Sequence, residues 1–274
     1  YIGTAPDGSR HPDWTFSAAN SLGKADWKLQ IAVNESSSKL TLNSGAGAID
    51  LKGATSNLAV LTINAGAASS ISGVISGPTA LTKQGAGILT LSAQNTYTGT
   101  TTVSAGTLKL APASNFTVNL TGAFINNAAI IYDGSNGGVA FLSGGASGSG
   151  TWEVTGSTAP ANIHASRISI SGAVTTSGQI TVSNYGNLWI EGTGINATSS
   201  IYLNGVNTNL YLYGPAATTH KVGTLTGTGT IDFANGGGGQ SLNLSIGNDN
   251  GTGTFRGVIK NSGAFTGPTT LGLI

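Results

Sequence analysis

The 274-residue chain contains no cysteine and no methionine, and only 8% of its residues are charged. Without cysteine there is no disulfide framework, zinc knuckle, iron–sulfur site or thiol nucleophile. With 11 basic and 10 acidic residues the balance is close to neutral. That argues against nucleic acid, whose affinity rests mainly on Lys and Arg neutralising phosphates, and against an anionic membrane surface. No apolar run reaches the roughly 18 residues of a transmembrane helix, so no membrane insertion by this chain is expected, and no cofactor is expected either. Helix signals are scarce, because Gly or consecutive β-branched residues interrupt nearly every window. The lack of Met and the start at Tyr1 lead us to expect a mature or trimmed product that works outside the cell.

What is abundant is small. Forty-three residues are Gly, and hydrophobic residues still make up 39%, too many for a disordered polar linker. Apolar residues alternate with period two in short runs such as Leu40-Thr-Leu42, Leu61-Thr-Ile63, Leu188-Trp-Ile190 and Leu210-Tyr-Leu212, separated by Gly, Asn or Ser clusters. Each reads as a brief strand with one apolar face, closed by a turn. Ile168, Leu188, Leu210 and Ile231 recur 20 to 22 residues apart, with Ile180 and Ile201 marking an intermediate strand. Such a period is the signature of a solenoid whose coils stack like residues along one axis. At this period the chain would make roughly 12 coils and a rod about 60 Å long. A β-sandwich also explains short alternating strands but not their even spacing.

Residues 1–36 depart from the pattern. They hold two of the four Trp residues, Trp14 and Trp27, and a local concentration of charge (Arg10, Asp13, Lys24, Asp26, Lys28, Glu35). An open solenoid end exposes edge strands and core, so this segment reads as an N-terminal cap or docking segment ahead of a solenoid spanning 37–274.

The stretch from Leu81 to Leu108 reads Leu-Thr-Lys-Gln-Gly-Ala-Gly-Ile-Leu-Thr-Leu-Ser, then Asn95-Thr-Tyr-Thr-Gly99, then Val103-Ser-Ala-Gly-Thr-Leu108. It resembles the passenger-associated repeat of bacterial autotransporters and related surface proteins. Ile88, Ala93 and Thr100 depart from the usual residues without disturbing the strand pattern. The resemblance implies an all-β, right-handed parallel β-helix exported to the bacterial exterior as adhesive or structural surface. In physical terms Leu89 and Leu91 should point inward, Gly85 and Gly87 turn a corner, and Tyr97 pack beside the turn at Gly99.

The lead to this repeat, Gly73-Val-Ile75 and Gly77-Pro-Thr-Ala-Leu81, is echoed over 255–274 by Gly257-Val-Ile259 and Gly267-Pro-Thr-Thr-Leu271. A coil left midway offers an open sheet edge as a template for another strand. We therefore expect a head-to-tail homopolymer joined through Phe255, Val258, Ile259, Phe265, Leu271, Leu273 and Ile274 at one end and Trp14 and Trp27 at the other. A fragment of a longer passenger would share the same features.

Alternation also sets which side chains face out. Trp189, Tyr202, Tyr211 and Tyr213 should form an exposed aromatic patch, with Trp189 beside Tyr211, suited to subunit packing or to a glycan face; a covered loop or inverted register would hide it. Catalysis has little support. Glu191 and Asp232 could pair for glycoside hydrolysis, but there are only three Glu and seven Asp, most beside turn residues. Arg167 and Arg256 stand alone as candidate bases. His11, His164 and His220 lack metal-ligand spacing. Gly236–Gly239 and the stretch Asn248-Asp-Asn250-Gly251 read as corners rather than as phosphate or calcium loops. The sequence thus points to a non-enzymatic extracellular structural protein that assembles with itself, with a glycan-binding autotransporter adhesin as the alternative and a polysaccharide-degrading β-helix further off.

Overall fold

The computed structural model describes residues 13–17, 38–113, 116–157, 166–192, 195, 198–215, 218–233, 242–262 and 270–273, with only the backbone described for 13–17 and 270–273. These residues form short strands and no helix, and every pairing between the strands is parallel. The all-β solenoid expected from the period is the fold.

Each coil visits three faces in turn. The first face carries Lys39–Gly45, Val60–Ala65, Ala80–Gln84, Thr101–Val103, Phe124–Asn126 and Ala146–Ser147. It continues through single-residue bridges at Val174 and Ile195. The Lys221 amide donates to the Ile195 carbonyl at 2.7 Å, which joins the face to strands Thr219–Val222, Asn243–Ile246 and Thr270–Leu273. The second face is a nine-stranded sheet from Asp50–Leu51 to Leu225–Gly227. The third begins with Thr55–Ser56 and Ile75–Ser76 and becomes a seven-stranded sheet from Thr117–Leu120 to Val258–Lys260.

Nine strands in the longest sheet correspond to about eight turns, fewer than the 12 expected. The reason lies in coil length. Register partners are 19 residues apart at Leu89 and Leu108, 22 at Ile130 and Trp152, and 28 at Trp152 and Ile180. Long corners absorb residues without adding turns, at little entropic cost.

Inward side chains from all three faces meet in one core that includes Leu61, Leu81, Ile71, Leu89, Leu108, Ile168 and Leu188. Ile168, Leu188, Leu210 and Ile231 are successive register partners, as are Ile180 and Ile201. Like residues thus stack one coil above another, and alternation along each strand keeps Ser, Thr and Asn outside. The described part of the N-terminal segment, Asp13–Ser17, forms a strand in parallel register with Lys39–Gly45, with Trp14 opposite Leu40. Trp27 lies outside the described residues.

Candidate functional site

The most concentrated cluster of large side chains lies outside the barrel of coils, on the third face. Leu188 and Ile190 point into the core, so Trp189 between them points out. The outward column reads Phe141, Ser169, Trp189, Tyr211, Asp232, Lys260 in successive register. Trp189 and Tyr211 are therefore neighbours one coil apart, with ring centroids at 5.0 Å. Tyr213, just past the end of its strand, stacks on Trp189 at 4.9 Å with an interplanar angle of 22°. On the other side the Arg167 guanidinium lies 4.0 Å from the Trp189 ring centroid and 5.2 Å from that of Phe141. Phe141, Arg167, Trp189 and Tyr213 form one layered stack held by cation–π and aromatic contacts.

This stack covers itself. Trp189 is 5% exposed and Tyr211 4% exposed, so the expected open aromatic patch is a closed one, shielded by Arg167 and Tyr213. Tyr202 does not join it. It stands on the second face, in register with Thr181 and Thr226, where its hydroxyl donates to Asn204 Oδ1 at 3.1 Å. Burial pushes the Tyr213 phenol up to about 12, against the pull of Arg167 and with help from Glu191 and Asp232. Burial, and then Asp232, push Tyr211 up as well. Both phenols remain protonated through neutral pH.

The two carboxylates considered for hydrolysis are each held elsewhere. Glu191 accepts from Ser169 Oγ at 2.7 Å. Asp232, nearly fully buried, accepts from the Ser262 amide at 3.0 Å and its hydroxyl at 2.6 Å, and pairs with Lys260 at 3.3 Å. Tyr211 stands in register between Trp189 and Asp232, so the two acids do not face one cleft. Arg167 is committed to the aromatic stack. Among the described residues no group of three or more His, Asp or Glu side chains is placed to hold a metal ion. His220 points into the core with Nδ1 accepting from the Ile195 amide at 3.3 Å, and burial pushes it down to about 4, only partly opposed by the Tyr213 backbone. His11, His164 and Gly236–Gly239 lie outside the described residues. In the stretch Asn248–Gly251, Asp249 accepts from the Thr224 amide and hydroxyl and the Gly251 amide, each at 2.9 Å. The loop is a corner stapled to the coil before it.

The end candidates separate into two groups. Phe255 bridges to Gly227 and packs partly against the core. Val258 is 56% exposed and Ile259 39% exposed, on the last described strand of the third face. Ile259 continues the inward column after Ile231, which is 0% exposed. The backbone at Leu271 and Leu273 pairs with Leu244 and Ile246; Phe265 and Ile274 lie outside the described residues. The echoed lead occupies equivalent positions in its coil. Gly73-Val-Ile75 and Gly257-Val-Ile259 both enter the third face, and Leu81 and Leu271 both lie on the first.

The coil from Leu81 shows what its repeated residues do. Leu89, Tyr97, Val103 and Leu108 are all fully buried. Gly85 has φ +75°, and a Cβ on Gly87 would sit 2.1 Å from the Ala67 carbonyl oxygen of the preceding coil; only Gly fits so close an approach. Asn95 accepts from the Ile75 amide at 2.8 Å and donates to the Ala93 carbonyl at 3.1 Å, tying two coils together. The Tyr97 hydroxyl meets Thr101 Oγ1 at 2.8 Å, which satisfies its one buried polar atom. Lys83, which no sequence pattern singles out, is 0% exposed. Its ammonium donates to the carbonyls of Gln84 at 2.6 Å, Gly85 at 2.7 Å and Ala105 at 3.2 Å, capping a corner of two successive coils.

Fold and corner chemistry together define a parallel β-solenoid in which each coil is stapled to the last by buried polar side chains. Residues 81–110 match the family described as passenger-associated-transport-repeat, two residues beyond the stretch singled out above. No curated protein and no solved structure matches the chain.

Proposed function

We propose that this protein is an extracellular structural rod that joins to further copies of itself end to end, its coils continuing from one copy into the next. The passenger-associated repeat supports a secreted or surface location, and the self-covered aromatic stack and committed carboxylates support a structural over a catalytic role. One observation carries the reading: Ile259 belongs to the inward column yet is 39% exposed, beside Val258 at 56%. A parallel coil laid on Val258–Lys260 would bury both side chains and extend the ladder. Burying the exposed parts of two aliphatic side chains contributes about 1–2 kcal/mol, and new backbone hydrogen bonds add register.

The test is sedimentation velocity of the purified chain and of Ile259→Lys, with circular dichroism to verify strand content. Large assemblies from the first and a small folded species from the second are expected. Equal sizes for both would overturn the reading, because the end coil would then not be the contact.

A further inference from the structure

The first and second faces differ in a way that end-to-end assembly does not use. On the first face Thr41, Thr62, Thr82 and Thr102 are successive register partners that point outward, one per coil. Beside them Asn43, Asn64 and Gln84 form a second outward column. The third column, Lys39, Val60 and Ala80, holds the one charge among these residues. The second face at the same coils bears the ion pairs Lys52–Asp50 at 3.3 Å and Lys109–Asp133 at 2.6 Å. One face is thus charged, and its neighbour is a nearly neutral surface with a hydroxyl ladder and an amide ladder at the strand spacing of about 4.8 Å.

We infer that this first face joins a second copy of the same solenoid side by side. A partner that engages every rung must share the axial repeat, and another copy has it by construction. Hydroxyls and amides both donate and accept, so like ladders satisfy each other, as stacked Asn and Gln do in paired sheets. Near-neutrality removes the repulsion that two copies of the second face would suffer. The Thr and amide columns present about 400 Å² per copy, from a strand rise near 3.3 Å and the coil spacing, roughly half of what a standard stable interface buries on each partner. A single pair is therefore weak, and the contact gains strength by repetition along a filament; in this respect it rests on the end-to-end reading.

The absence of native cysteine supplies a clean experiment. Thr62→Cys places one thiol on the hydroxyl ladder, and Thr90→Cys places one on the second face of a neighbouring coil. Under mild oxidation the first variant should give at least about tenfold more cross-linked dimer than the second, because repetition raises the local concentration of like faces. Electron microscopy should show filaments paired side by side for the unmodified chain and single filaments for Thr62→Lys/Thr82→Lys. Single filaments from the unmodified chain, with no excess dimer from Thr62→Cys, would overturn the lateral contact and leave end-to-end assembly standing. Short rods without filaments but with excess Thr62→Cys dimer would support the face and refute end-to-end assembly. Equal cross-linking of the two variants, with the unmodified chain partitioning into growing ice, would overturn the proposal and assign the Thr ladder to ordered water.

Discussion

Replacing Trp189 with Ala separates a structural stack from a ligand platform. Trp189 is 5% exposed and touches Arg167, Tyr211 and Tyr213 at ring distances of 4.0, 5.0 and 4.9 Å. Truncating a buried aromatic residue costs about 3–5 kcal/mol. Of that, the two aromatic pairs account for about 0.5–1.5 kcal/mol each, and the guanidinium contact for about 0.5–2 kcal/mol. Arg167→Ala should then cost about 1–2 kcal/mol, and a double-mutant cycle between the two should return a coupling near 1 kcal/mol. Equilibrium urea denaturation followed by Trp fluorescence and far-ultraviolet circular dichroism gives all four values. If Trp189→Ala costs less than about 1 kcal/mol, the range of an ordinary surface substitution, the stack does not hold the third face together. The side chain would then have to be accounted for by something it binds.

Three further outcomes are specific. The His220 imidazole, pushed down to about 4 from its usual 6.5 by burial, binds fewer protons folded than unfolded between those values. Stability is therefore full above about pH 6.5 and falls by about 3 kcal/mol on acidification towards pH 4, because each tenfold loss of proton affinity on folding is worth about 1.4 kcal/mol; His220→Leu should flatten this slope in denaturation curves at pH 7, 5.5 and 4. Gly87→Ala would drive a Cβ to 2.1 Å from the Ala67 carbonyl oxygen, and a loss of roughly 2–4 kcal/mol is expected in the same assay. Lys83→Met keeps the volume but removes the donor to three corner carbonyls, and should lower stability by about 1–3 kcal/mol, with faster amide exchange at the corner near Gly85 and Gly106 as the local signature.

Much of the ladder geometry was legible in the sequence. The column Ile168, Leu188, Leu210, Ile231 and the neighbouring pair Trp189 and Tyr211 follow from alternation and a period near 21, and both are register partners. The number of turns was not legible, because the 28-residue step from Trp152 to Ile180 looks like an ordinary stretch of Gly, Ser and Thr. Exposure was not legible either. Alternation says that Trp189 faces out, but Arg167, opposite Asn187 one coil earlier, and Tyr213 cover it from the sides. Tyr202 sits on a different face because each coil turns three corners, and its sequence distance from Tyr211 spans one of them. Lys83 was hidden for another reason. Lysine is almost never fully buried unless paired, and its partners are backbone carbonyls brought together only when two coils stack. The Thr and amide ladders of the first face were visible as residues but not as columns, since register between coils of unequal length is set by the fold.

Cryo-electron microscopy of the purified chain in the absence of denaturant bears most directly on end-to-end assembly. Continuous filaments are expected, with the strand spacing of about 4.8 Å running unbroken along the axis and density for a neighbouring copy laid against Val258 and Ile259. Isolated short rods at all concentrations, with Val258 and Ile259 facing solvent, would contradict it.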